Sequence, residues 1–121
     1  MITSNNLLAR FGEITEFWSP KVIGEVNDQF VKIAKLKGEF VWHDHKNEDE
    51  LFFLVKGSLD IHLQEEIIHL NVGDFYIVPM GILHKPHAKE ECWVLLIEKK
   101  TTKHTGNVET PYTKSIEDQL G

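Results

Sequence analysis

Turn-forming residues recur so closely between Lys21 and Glu98 that this stretch has room for short strands and little else. The clearest case is Leu59-Asp60-Ile61-His62-Leu63-Gln64, apolar on one face and polar on the other at the two-residue period of a strand. Comparable runs are Val22–Val26 and Phe30–Leu36, joined by the hairpin-forming Asn27-Asp28-Gln29, then Phe40–Asp44, Leu51–Lys56, Ile67–Leu70, Phe75–Val78 and Cys92–Glu98. Gly57-Ser58, Gln64-Glu65-Glu66 and Asn71-Val72-Gly73-Asp74 are the turns between them. No convincing amphipathic helix interrupts the series, so the fold class is all-β, a sandwich or a small barrel. Ahead of it, Leu7, Leu8 and Ala9 suit either one helical turn or an edge strand. After Lys100 the chain becomes polar and rich in Thr, either packing across the barrel or ending as a mobile tail. The expected division is an N-terminal segment over 1–20 that packs on the barrel or on a dimer partner, a barrel over 21–100 and a polar tail over 101–121.

At 121 residues the chain has the size of one domain, and with 41% hydrophobic residues it is too apolar to be disordered. A net charge of −6 argues against a nucleic-acid partner, since no basic stripe is available to neutralise phosphates. Cys92 is the sole cysteine, which rules out an intrachain disulfide and a thiolate zinc site. It lies in the apolar run Cys92–Ile97, where a buried, inert thiol is expected. Met1–Arg10 lacks the pattern of a signal peptide and no apolar run is long enough to span a membrane, so a cytoplasmic location is expected.

The chemistry concentrates in two short stretches. In Gly38-Glu39-Phe40-Val41-Trp42-His43-Asp44-His45, the two histidines are two residues apart and share one face of an extended chain. Glu50 comes after a polar loop and heads the apolar strand that runs to Gly57, with Phe52 and Leu54 on its own face. In Gly73-Asp74-Phe75-Tyr76-Ile77-Val78-Pro79-Met80-Gly81-Ile82-Leu83-His84, a strand ends at Pro79 and a Pro-x-Gly turn returns the chain at His84. Two antiparallel hairpins facing each other would bring three imidazoles and one carboxylate together. Imidazole suits first-row metals, and one carboxylate offsets part of a divalent charge. Left unpaired in a barrel, each such group would cost about 1–3 kcal/mol. A shifted register would put Glu48 or Asp49 in the carboxylate position, but Glu50 alone leads directly into the apolar strand.

The spacing Gly38-x4-His43-x-His45-x4-Glu50-x6-Gly57, with Gly73-x5-Pro79-x-Gly81-x2-His84 after it, resembles the two motifs of the cupins. Two departures leave the metal-binding positions untouched. The first motif has four residues between Gly38 and His43 where the family usually has five, and Ala88 stands where the second usually ends in Asn. The resemblance implies a jelly-roll β-barrel, a double-stranded β-helix, whose metal ligands are His43, His45, Glu50 and His84. It implies one divalent ion, with manganese, iron, nickel, cobalt and zinc all compatible with the donor set. Coordination positions left open would take a small-molecule ligand.

Three functions fit: a small oxidoreductase or isomerase, a ligand- or metal-binding barrel, and a protein with a structural metal. The last suits the ligand set least, because structural zinc sites are closed and thiolate-rich. His87, an odd number of residues from His84, should face away from the site, and His62 and His69 read as surface or satisfied groups. His104, in the polar tail, carries no signal. Tyr76, Val78 and Met80 could wall the pocket with Phe52 and Leu54, and Tyr76 alone of these has a hydroxyl for a ligand. Trp18, Trp42 and Trp93 are large apolar groups for so small a domain, and a homodimer is expected from them.

Overall fold

Strict alternation along three strands decides which side chains form the interior. The computed structural model describes residues 4–106 and 108–120, so residues 1–3 and 121, the extremes of the expected terminal segments, and residue 107 lie outside the described residues. In chain order the elements are α1 (Leu7–Phe11), β1 (Lys21–Val26), β2 (Gln29–Glu39), β3 (Glu50–Lys56), β4 (Leu59–His62), β5 (Ile67–Leu70), β6 (Phe75–Val78), β7 (Lys85–Lys99) and α2 (Ile116–Leu120). On β2 the inward side chains are Phe30, Lys32, Ala34 and Leu36, on β3 Glu50, Phe52 and Leu54, and on β7 Cys92, Val94, Leu96 and Glu98. Leu59, Ile61, Leu70 and Val78 complete this core from the facing strands. Each such apolar side chain withdrawn from water contributes roughly 1.5–3 kcal/mol.

All strand pairs are antiparallel, and the main sheet runs β1-β2-β7-β3-β6. β7 closes the barrel by serving both layers. Its first residues pair with β4, in the register Asp60↔His87 and His62↔Lys85, and its later residues lie between β2 and β3. The strand turns the corner at exposed Lys89, Glu90 and Glu91, where its ladders with β2 and β3 shift register. That polar corner is why only Cys92–Glu98 read as strand in the sequence, although β7 begins at Lys85.

Phe40–Asp44, expected as a strand, is not one. Phe40 N–H donates to the Pro86 carbonyl at 2.9 Å, and proline has no N–H to return the bond. Beyond it the chain faces the Pro79–Leu83 turn and makes a single antiparallel bridge, His43 with His84. At the N-terminus the helical alternative holds: the Asn6 side chain caps α1 by accepting from Ala9 N–H at 2.9 Å. Phe11 and Ile14 then cover Ile33 on the outer face of the main sheet, with the Phe11 ring stacked 4.8 Å from Trp93. Trp18 is buried against Phe40, so of the three tryptophans only Trp42 stays exposed. Met80 is also exposed and Tyr76 packs at the margin of the core, so neither walls an interior pocket. Cys92 is fully buried, and desolvation pushes its thiol up to about 12.

The hinge between β3 and β4 depends on a missing side chain. Gly57 has a φ of +87°, and a Cβ there would lie 2.8 Å from the Glu91 carbonyl oxygen and 3.1 Å from Cys92 Cα. Both are backbone atoms of the β7 corner and cannot swing aside. Gly57→Ala should therefore lower unfolding stability by roughly 1–3 kcal/mol, read as a fall in the urea midpoint. Gly73→Ala, at a positive φ but in open space, should cost less. Equal midpoints for the two variants would show that the Gly57 contact does not constrain the corner. Cys92 should stay unmodified by a thiol reagent in the native protein and react fully in denaturant.

Candidate metal centre

Each residue of the His/Glu group is delivered by a different local device. Glu50 opens β3 and points inward with Phe52 and Leu54. His43 and His84 are joined by two reciprocal backbone hydrogen bonds, His43 N–H to His84 O at 3.0 Å and His84 N–H to His43 O at 2.9 Å. His45 is anchored by its carbonyl, which accepts from Gly81 N–H at 2.8 Å, so the Pro-x-Gly turn holds the first motif against the second. The alternatives to Glu50 are engaged elsewhere: the Asp49 carboxylate accepts from Met80 N–H at 2.8 Å and Glu48 accepts from the Thr101 hydroxyl at 3.2 Å.

The four side chains meet in the barrel. His43, His45, Glu50 and His84 are all buried, and one donor atom from each lies within 4.8 Å of all the others. His45 Nε2 and His84 Nε2 approach Glu50 Oε1 at 3.4 and 3.5 Å. These three atoms are buried without a hydrogen-bond partner. The tautomers are set from behind. His43 Nδ1–H donates to the Val41 carbonyl and His84 Nδ1–H to the Ile82 carbonyl, each at 2.9 Å, which leaves both Nε2 atoms with a free lone pair. Metal–ligand bonds of about 2.0–2.2 Å place neighbouring ligand atoms about 3–3.5 Å apart, so the group could hold one metal ion.

Burial holds His43 at about 4, and the neighbouring His84 pushes in the same direction, so it is neutral at physiological pH. Burial also opposes charge on His45, but the adjacent Glu50 carboxylate, with Glu48 and Asp44 further out, raises the imidazole above its usual range. For Glu50, burial is outweighed by the groups that crowd it, Glu98, His45 and His84, which hold the carboxyl well below the usual range.

Glu98, absent from the sequence reading as a site residue, is the direct cross-strand partner of Glu50. Burial, and then the Glu50 charge, raise its carboxyl well above the usual range. Lys32 Nζ lies 2.7 Å from Glu98 Oε1 and also donates to Gln119 Oε1 from α2. Period-two alternation on β2 and β7 could have flagged Lys32 and Glu98 as inward charges. Gln119 left no such signal.

His104 is the second residue that sequence reasoning missed. The segment 101–106 runs across the barrel mouth, with Thr102, His104 and Thr105 buried. Gly106 packs on the carbonyl of Asp44, between His43 and His45 in the chain, so closely that a Cβ there would collide with it. His104 helps enclose an apolar cavity beside His43 and Glu50, with Trp18, Phe40, Phe52 and Leu96 among its walls. On the far side of His45 lies a polar crevice bordered by Lys46, Glu48 and Lys103. The other histidines lie outside the centre, as expected. His69 is held by Asp60 at 2.6 Å and by Asn71, and His62 faces His87 on the outer surface of the β4–β7 pair.

Residues 29–98 match the model of the cupin domain family. The chain is 35% identical over 101 residues to the uncharacterised protein YdbB of Bacillus subtilis (strain 168), covering 83% of this chain and 89% of that one. It is also similar to the crystal structure of a cupin-2 domain protein from Shewanella frigidimarina, with 43% identity, a TM-score of 0.77 and coverage of 78% of this chain and 93% of that one. A second solved structure, protein NMB1881 of Neisseria meningitidis, is 26% identical with a TM-score of 0.74, covering 80% and 99% of the two chains. With both motifs inside the matched region, this chain belongs to the cupins, and its described residues form one jelly-roll domain.

Proposed function

We propose that the protein binds one divalent metal ion through His43, His45, Glu50 and His84 and acts on a small molecule as an oxidoreductase or isomerase. The observation that carries this reading is the convergence of His45 Nε2, His84 Nε2 and Glu50 Oε1, all buried and none hydrogen-bonded. Leaving them so without an ion would cost about 1–3 kcal/mol for each neutral group and more for the carboxylate. A bound metal supplies Lewis-acid polarisation of a substrate oxygen, or a site for redox chemistry, through positions the four ligands leave open.

The protein's own residues supply the rest. The Val41 and Ile82 carbonyls orient the His43 and His84 rings. Glu98 takes the proton of the carboxyl pair and leaves Glu50 ionised. Phe40, Phe52 and Leu96 exclude water from one side of the centre. A non-enzymatic ligand-binding barrel is the second reading. The apolar cavity favours it, since His104 is the one titratable residue in its described lining besides His43 and Glu50.

Elemental analysis of protein purified without a histidine tag should find close to one metal per chain. His45→Ala should lose most of it and His62→Ala should keep it; equal metal content in the two would overturn the ligand assignment. Imidazole binds metal only when unprotonated, so acidification should release the ion. Chelation at neutral pH should lower the thermal midpoint of the wild type and leave that of His45→Ala unmoved. Turnover of small oxygenated substrates by the loaded protein, absent in the stripped protein, would separate the enzyme from the binding barrel.

A further inference from the structure

The outer face of the main sheet is apolar across four strands, and the chain covers only part of it. Strand register sets Val31, Ile97, Leu51 and Ile77 side by side across β2, β7, β3 and β6. Two residues along, the next row on that face is Ile33, Leu95, Phe53 and Phe75. At the β2 end α1 supplies the cover: Phe11 and Ile14 bury Ile33 completely and pack on Leu95. At the β6 end that cover stops, and Phe75 and Ile77 stand 61% and 46% exposed.

The sequence of β3 makes the same demand. Leu51-Phe52-Phe53-Leu54-Val55 is apolar without alternation, as in strands buried on both faces. Phe52 and Leu54 fill the interior, while Leu51 and Phe53 on the other face stay half-buried. β6 ends the sheet and pairs with β3 alone. An edge strand facing water ordinarily carries charge that discourages association, and Phe75-Tyr76-Ile77-Val78 has none.

Area and charge together select what covers this face. Phe75 and Ile77 leave on the order of 200 Å² of apolar surface in water, and half-buried Val31, Leu51, Phe53 and Ile97 raise it to roughly 300–400 Å². A stable interface takes about 800 Å² from each partner, an apolar core inside a polar rim, and a patch of this size suits that core. Exposed Val72 and Met80 adjoin β6 at its two ends in the chain. With a net charge of −6, two copies repel unless they meet where neither is charged. A two-fold contact also sets a patch against the same patch of its copy, so any charge near the axis meets its like. The two rows meet both conditions, whereas a basic partner would find its counter-charges elsewhere on the molecule.

We propose that the outer face of β3 and β6 is a dimer interface, where two copies of this chain pack these rows together across a two-fold axis. Sheets packed face to face lie about 10 Å apart, a gap that Phe53, Phe75 and Ile77 of the two copies fill. The homodimer expected from the tryptophans then rests on a different surface, since Trp18 is buried on Phe40 and Trp93 is stacked on Phe11. This inference is independent of the metal-site reading, because the face lies on the opposite side of β3 from Glu50.

Sedimentation equilibrium of the full chain at micromolar concentrations tests it. The wild type should be a dimer. Phe75→Glu and Ile77→Glu place charge at exposed positions, so each should keep the far-ultraviolet circular dichroism of the wild type. Each should weaken dimerisation about a hundredfold or more, because like charges then meet across the axis. Ile77→Glu serves as the test if Phe75→Glu does not fold. Ile67→Glu, at a comparably exposed apolar position on β5, should leave the dimer intact. An equimolar mixture of Phe75→Glu and Phe75→Lys should recover a dimer that neither forms alone, which only contact between like patches predicts. A monomeric wild type would overturn the proposal and leave the face to a different partner. A wild-type dimer that Phe75→Glu and Ile77→Glu leave intact would overturn it as well, by placing the contact on another face.

Discussion

Two carboxyl groups face each other across a single strand pair in the interior, and much of the barrel is arranged around that fact. Glu50 and Glu98 are direct cross-strand partners on β3 and β7, both fully buried. Like charges opposite one another on a sheet face repel, and in a dry interior neither could ionise beside the other unaided. The Glu50 carboxyl is held low and that of Glu98 high, and Lys32 from the next strand lies 2.7 Å from Glu98 Oε1. Gln119 from α2 takes a further hydrogen bond from Lys32, so even the far C-terminus is tied to the carboxylate that the three histidines surround.

The same arrangement places the cluster where two kinds of surface meet. On one side Phe40, Phe52 and Leu96 wall an apolar cavity. On the other a polar crevice with Lys46, Glu48 and Lys103 borders His45. Low dielectric on the apolar flank strengthens every electrostatic interaction at the cluster. The segment 101–106 borders both sides, which makes it part of the site as well as the edge of the barrel.

His43, His45 and His84 show how little regular structure is needed to bring side chains together. His43 and His45 are not on a strand, yet they converge because one backbone bridge to His84 and one bond from Gly81 to His45 position them. Their spacing of two was legible because any extended chain presents alternate side chains on one side, whether or not it is hydrogen-bonded into a sheet. Alternation likewise placed Glu50, through the apolar strand behind it, and set His62 and His69 apart from the cluster. Strand limits were less legible. Polar Lys89-Glu90-Glu91 concealed the first half of β7, and Pro86, with no N–H to give, ended the pairing that would have made Phe40–Asp44 a strand. His104 could not be found at all, since it lies in a polar tail with no periodicity and its burial depends on Phe40 and on the Lys114 peptide.

The sequence by itself determined the features that depend on local geometry. Alternation sets the face of each strand residue, Gly and Pro set the turns, and a His-x-His pair with its Glu and a later Pro-x-Gly-x-x-His marks the family and its candidate donors. Only the tertiary structure decided which distant groups share the interior with those donors. The Glu98–Lys32–Gln119 contacts, the packing of Gly106 on Asp44 and the place of His104 beside the cavity all join residues far apart in the chain. Such contacts depend on how the layers close over one another, and closure is set by the packing of the whole barrel rather than by the pattern of any one segment.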